Sequence, residues 1–283
     1  MQKRYAIMNN EGMKNSKYIK TIIYLLIIIC FCRCGYQNAE SSGIEKDESE
    51  NSVCDPLGYM VDGSNPVIED IDFSSEFWNR PPIQIPKGFV WDSILKQDKS
   101  RNLVISIFIP ISNIEKIDNI VKSYIETEKK QFIEELDERL KEDNYRLSAL
   151  PNDFDVTPIS VYKDEKIISY SFAISYYHSP GVHGITMFRS FNFDAKNMQL
   201  IDFDNYFLVK SKIDTIFFTD IITRAINNDP IALHELYNLD FNVEKDTISF
   251  NFSHYEIASY AEGLIQARIP KKELYNKINP KYR

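Results

Sequence analysis

Glycine, cysteine, histidine and basic charge are all scarce in this chain. Nine glycines among 283 residues are about 3%, under half the usual share of roughly 7%. So low a count argues against glycine-rich phosphate loops, collagen-like repeats and a dinucleotide fingerprint. The 33 Lys and Arg against 41 Asp and Glu leave a formal charge of -8. That balance excludes nucleic acid as an expected partner, because phosphate binding needs a basic surface. The cysteines, Cys30, Cys32, Cys34 and Cys54, all lie near the N-terminus. The histidines, His178, His183, His234 and His254, include no His-Glu-x-x-His pair, so no metal or cofactor is expected. Gly-x-Ser-x-Gly is missing too, which leaves nothing to support nucleophilic catalysis. Apolar residues are plentiful at 43%, enough for one large or two small domains with real cores.

The N-terminus differs from the rest. Residues 1–34 carry six basic residues and one acid, so the remainder holds 27 Lys and Arg against 40 Asp and Glu, a charge of -13. Thr21 to Phe31 is an apolar run of 11 residues. A spanning helix needs about 20, so the run has the size and basic flank of a signal-peptide core. Met13 opens a more compact version of the same signal. Cys34 follows this run and resembles the lipidated cysteine of bacterial lipoproteins, although Arg33 stands where a small residue is usual. Residues 1–34 are therefore expected to be a lipoprotein-type signal, with Cys34 acylated because the hydrophilic stretch begins directly after it. That implies a domain outside the cytoplasm, lipid-anchored to a bacterial membrane, with the outer membrane the expected one. Residues 35–80 are expected to be an acidic, disordered tether, most polar over 35–56, where few apolar side chains can offset the entropy of ordering.

A folded body is expected from about Leu103, after an irregular lead-in. Leu103–Ile109 is a β-branched run ended by Pro110, which reads as a strand. Ile117, Val121, Tyr124, Ile125, Phe132, Leu136 and Leu140 then recur at helical spacing, predicting a long amphipathic helix to about residue 142. Thr157–Tyr162 and Ile167–Tyr177 flank a polar turn, and Ile185–Phe193 and Met198–Phe203 flank another; two hairpins follow. A shorter helix is expected over 211–227, with Ile213, Ile216, Phe217, Ile221 and Ile222 on its apolar side. Thr247–Phe252 and Leu264–Ile269 read as closing strands. The class is α+β: antiparallel strands and hairpins packed with one long and one shorter helix.

Two stretches carry a family resemblance. The first is Tyr176-Tyr177-His178-Ser179-Pro180-Gly181-Val182-His183-Gly184, followed by Phe191-Asn192-Phe193-Asp194 and Leu200-Ile201-Asp202-Phe203. The second runs from Phe250-Asn251-Phe252 through Ser253-His254-Tyr255-Glu256-Ile257-Ala258-Ser259-Tyr260-Ala261-Glu262-Gly263 to Ile269-Pro270. Together they resemble the extracytoplasmic domain family of the lysozyme-sensing anti-sigma factor RsiV, which also precedes the catalytic domain of the peptidoglycan deacetylase PdaC. The resemblance spans roughly residues 100–277. It implies a PdaC N-terminal-like α+β subdomain over 81–190 and an RsiV-like one over 191–283. It also implies a non-catalytic envelope module whose partner is a lysozyme-like cationic protein or peptidoglycan. Pro180 replaces a usual glycine and Ser259 a usual proline, which bears on loop geometry.

Read from the residues themselves, Gly181 and Gly184 bracket His183, allowing positive φ or close backbone approach. His183 could pin the loop through a backbone carbonyl or meet a ligand. Tyr255 and Tyr260 could pack or offer their hydroxyls outward. The candidate contact residues are thus Tyr177, His183, Gly184, Tyr255 and Tyr260. A hydrolase using the His183 loop, with His178, His183 and Glu256 as a two-His-one-carboxylate set or Asp202 and Asp204 as a carboxylate pair, is the enzymatic alternative. A structural spacer is the third.

Overall fold

The computed structural model describes residues 83–142, 145, 150–226 and 239–283, all within one compact unit from Gly63 to Arg283. The expected signal and tether, Cys34, Cys54 and His234 lie outside the described residues.

Five strands form the first sheet in the order β1-β2-β3-β4-β5: β1 (Val90–Asp98), β2 (Leu103–Ile111), β3 (Asn152–Lys163), β4 (Ile167–Tyr177) and β5 (Ile185–Asp194). All neighbours are antiparallel except β2 and β3, whose parallel register runs from Leu103↔Asn152 to Ile107↔Val156. That parallel pair is an addition to the expected antiparallel strands and hairpins. Its cause is α1 (Glu115–Arg139), a 25-residue helix that returns the chain to the end from which β2 started. Only such a crossover can join parallel neighbours. Because the parallel ladder stops at Ile107, Pro110 can lie inside β2 without costing a bond to β3.

The helix shows its expected face: Ile117, Val121, Ile125, Phe132 and Leu136 are buried. Asp118 is buried with them, because its carboxylate accepts from both the backbone N–H and the hydroxyl of Ser112, each at 2.8 Å. Ile168, Tyr170, Phe172 and Ile174 of β4 meet this face in the first core, while the alternating Ser169, Ser171 and Ala173 point to the other side and are buried as well.

The second sheet has the order β6-β7-β8, from β6 (Asp240–Val243), β7 (Thr247–Phe252) and β8 (Ile265–Pro270), all antiparallel. Helices α2 (Phe203–Tyr206), α3 (Lys212–Ala225) and α4 (Lys271–Leu274) belong to this lobe. Its core is aromatic. Phe207 lies 4.8 Å from Phe203, 5.0 Å from Phe218, 5.3 Å from Phe241 and 5.8 Å from Phe250, centroid to centroid. Each such ring, fully buried, contributes about 1.5–3 kcal/mol. The α+β class is as expected.

Several elements differ from expectation. The body starts with β1, before Leu103; β1 has no buried residue, so its side chains carry no period for a sequence pattern to reveal. Met198–Phe203 is not a second hairpin arm. It makes one isolated bridge, Phe193↔Leu200, and then Asp202 caps α2 by accepting the Asn205 N–H at 2.8 Å. On α3 the buried set is Asp214, Phe218, Ile221 and Ile222, with Ile213 75% and Ile216 58% exposed. The helix is rotated because Asp214 turns inward, accepting from Ser211 and Lys210 and pairing with Lys277. The 190/191 boundary falls inside β5; the sheets change between Asp194 and Asp240.

The lobes meet through a polar seam. Asn192 Oδ1 accepts from the Ser169 hydroxyl at 2.7 Å, and its Nδ2 donates to Phe241 O at 2.7 Å. The Val243 N–H donates to Ser169 Oγ at 2.9 Å. Asn251 Nδ2 donates to Asn242 Oδ1 at 2.9 Å and to Asp240 Oδ1 at 3.0 Å. Ser169, Asn192, Asn242 and Asn251 are at most 3% exposed, so the bonds of this set other than the one to half-buried Asp240 are made away from water, where an unmade one is costly.

Candidate functional site

Two loops meet beside β5: residues 178–184, between β4 and β5, and residues 253–264, between β7 and β8. The first is pinned from below. Ser179 is fully buried and its N–H donates to Asn152 Oδ1 at 2.8 Å. The Gly181 N–H donates to His178 O at 2.8 Å, and a Cβ at Gly181 would stand 2.6 Å from that oxygen. Gly184 is crowded more mildly, with Tyr176 O at 3.1 Å from a Cβ. Positive φ is not the reason for either glycine; among the described glycines it belongs to Gly88 and Gly263. Close approach is what these two positions require.

The second loop caps the exposed edge of β5. The Thr186 N–H donates to His254 Nδ1 at 3.0 Å and the His254 N–H to Thr186 O at 3.3 Å. The Phe188 N–H donates to Ser253 Oγ at 3.0 Å and the Ser190 N–H to Asp240 Oδ2 at 2.7 Å. Side chains of this loop and of β6 thus take up the outward amides of Thr186, Phe188 and Ser190, which blunts this part of the edge as a template for another chain. The loop turns sharply at Tyr255, whose φ is +64°, a left-handed conformation that costs a non-glycine residue roughly 1–2 kcal/mol. That turn directs the phenol outward, 55% exposed.

These constraints bring His183, Tyr255 and Tyr260 together and add His254, which sequence reasoning had not singled out. Tyr260 is the centre. Its ring stacks on His183 at 3.8 Å and 22°, and lies 4.4 Å from His254 and 5.8 Å from Tyr255. The Tyr255 hydroxyl is 3.4 Å from His183 Nε2, and His183 Nδ1 donates to Gly184 O at 3.1 Å. Val182, 91% exposed, stands at the tip. Of the two His183 roles weighed from sequence, the pinning one is present, through the backbone carbonyl of Gly184, and the ring is exposed. Tyr177 serves the loop from inside, its hydroxyl donating to Gly181 O at 2.8 Å. Burial, and next the charge of His183, hold the His254 imidazole below its ordinary pKa.

His178 is not part of this cluster. It stacks on Phe132 at 4.4 Å, with Nε2 3.6 Å from Glu135, and burial lowers its pKa first of all. Among the described residues no group of three or more His, Cys, Asp or Glu is placed to hold a metal ion. Asp202 is a helix cap and Asp204 an exposed first-turn residue. The sequence reading also missed a cleft of about 270 Å³ beside the seam, lined by Arg189, Ser190, Leu200, Asp202, Leu239 and Asp240 among others. A signal for the seam was present in the repeated Phe-Asn-Phe or Phe-Asn-Val triplets at 191, 241 and 250.

Comparison with known families matches one segment, from the end of α2 to the start of α4. Residues 207–272 match the model of the DUF3298 family. The family's description is a protein of unknown function. The matched segment holds β6, β7, β8, α3 and the whole second loop, while the first loop lies outside it. No curated protein matches the chain. Two crystal structures of DUF3298 family proteins are similar to it. One, from Bacteroides fragilis, has 19% identity over 68% of this chain and 94% of that one, with a TM-score of 0.49. The other, from Pseudomonas aeruginosa, has 13% identity over 71% and 97%, with a TM-score of 0.48.

Proposed function

We propose that this chain is a non-catalytic binding module of a bacterial cell envelope, held to a membrane by a lipid on Cys34. In this reading loops 178–184 and 253–263 face a cationic, lysozyme-like protein. The observation that carries it is the outward cluster of His183, Tyr255 and Tyr260, fixed by buried contacts below. Rigid phenol and imidazole rings provide contact area at low entropic cost, which is why aromatic residues are enriched at interfaces. The two loops contain Glu256 and Glu262 and no Lys or Arg. The chain beyond residue 34 carries 27 basic against 40 acidic residues, so its field attracts cations and speeds their encounter. The resemblance of the loop motifs to the RsiV and PdaC type supports the same partner class, with peptidoglycan the other candidate. Among the described residues no helix is long and apolar enough to cross a membrane.

Calorimetric titration of residues 63–283 with a cationic c-type lysozyme tests this. The expected result is binding that weakens as salt screens the charges. No heat at low ionic strength, or binding to peptidoglycan alone, overturns the cationic-protein reading. Turnover of purified cell wall that disappears in His183→Ala would establish the hydrolase instead.

A further inference from the structure

His254 joins the second loop to the first sheet by two bonds to one residue, Thr186. A backbone N–H can only donate, so His254 Nδ1 must present a lone pair, which makes the imidazole neutral with its proton on Nε2. A second proton on Nδ1 would face the Thr186 N–H donor to donor. No other atom of the ring can take over that bond. His183 behaves in the opposite way. Its Nδ1 donates to Gly184 O whether or not Nε2 carries a proton, and a proton on Nε2 can be received by the Tyr255 hydroxyl.

The groups surrounding His254 do not rescue its charged form. From its own loop come the Tyr260 ring and Glu256, whose carboxylate is turned onto the Ser253 N–H at 2.8 Å. His183 approaches from the first loop and repels a second imidazolium. On β6, Asp240 is occupied by Ser190 and Asn251. On β5, Arg189 lies over the Tyr124 and Phe191 rings.

We propose that the second loop is an acid-released latch: protonation of His254 detaches it from the edge of β5 and dismantles the His183–Tyr260–Tyr255 cluster. This regulation rests on reading that cluster as the binding face. The direction follows from linkage. The closed loop holds the imidazole below its ordinary pKa, with burial the first cause. The closed state is therefore fully favoured above about pH 6.5 and loses ground as the pH falls through that value toward the lower closed-loop one. With protonation confined to the open loop, the open fraction rises by up to roughly 30-fold at about pH 5.

Amide exchange followed by NMR on residues 63–283, corrected for intrinsic rates, tests this without any partner. Between about pH 7.5 and 5 the protection of the Thr186 amide is expected to fall, by up to roughly 30-fold. The Ser190 amide, bonded to Asp240 instead, should keep its protection. His254→Asn, whose amide oxygen can accept in place of Nδ1, should abolish the Thr186 response. Equal Thr186 protection at both pH values, or a parallel fall at Ser190, overturns the latch; so does an undiminished fall in a folded His254→Asn protein. If that variant does not fold, the contrast between Thr186 and Ser190 in the unaltered protein decides. Failure to bind lysozyme leaves these outcomes untouched, so the two readings fail separately.

Discussion

Replacing Asn192 by Ala should uncouple the two lobes measurably. The side chain makes two 2.7 Å bonds, from the Ser169 hydroxyl and to Phe241 O, in a site only 3% exposed. Losing both removes about 0.5–1.5 kcal/mol each, and leaving the Phe241 carbonyl unpaired in a dry seam adds about 1–3 kcal/mol. A deficit of about 3 kcal/mol is expected, or a fall in Tm of about 6–12 °C for a domain of this size. Urea unfolding should show the midpoint moving with little change in slope. Asn192→Asp sharpens the test because it keeps the shape and the acceptor while turning the donor into a carboxylate aimed at the Phe241 oxygen. Burial raises the folded-state pKa of the introduced carboxyl above its unfolded value of about 3.9, so the penalty grows as pH rises from there toward the folded value. The aspartate variant should therefore be weaker than the alanine variant near neutral pH and recover toward about pH 4. An alanine variant within about 0.5 kcal/mol of the parent would refute the claim that the seam holds the lobes together.

Other expectations follow from single contacts. Gly181→Ala must displace the first loop, because its Cβ would lie 2.6 Å from His178 O; we expect a larger loss of stability and of lysozyme affinity than for Gly184→Ala, by thermal melting and calorimetry. Burial and the neighbouring Asp155 push Asp153 up to about 6, so this carboxyl weakens the fold as pH rises from its unfolded value through about 6. Asp153→Asn should then stabilise the protein by about 1–2 kcal/mol near pH 7 and hardly at all near pH 4 in urea titrations. Tyr260→Ala, which removes the ring stacked on His183, should reduce affinity for a cationic lysozyme at least tenfold, or about 1.4 kcal/mol. An unchanged affinity would move the binding face elsewhere.

The legible parts of the fold were those with a strong period or a sharp boundary. The buried face of α1, strand β4 and β7 stand where their apolar patterns placed them, while β3 begins at Asn152, five residues before the expected Thr157, where it pairs with β2. Strand β1 was hidden because an edge strand that buries none of its side chains leaves no alternation to read. On α3, five apolar residues suggested one face, but Asp214 satisfied by Ser211 and Lys277 outweighed Ile213 and Ile216 in setting the rotation. No local pattern could announce that. At the site, the motifs located both loops and three of the rings that meet, His183, Tyr255 and Tyr260. They did not reveal His254, whose role depends on Thr186, 68 positions away. Nor did they reveal that Gly181 serves by proximity to a carbonyl, which only the folded loop defines.

The most direct test of the central claim is where a bound lysozyme leaves its footprint. Hydrogen exchange of residues 63–283, with and without the cationic protein at low salt, should show new protection concentrated in 178–184 and 253–263. Protection confined to the charged face of α1 or to the Ile213–Ile216 surface, or no protection at all, would contradict the proposed binding face.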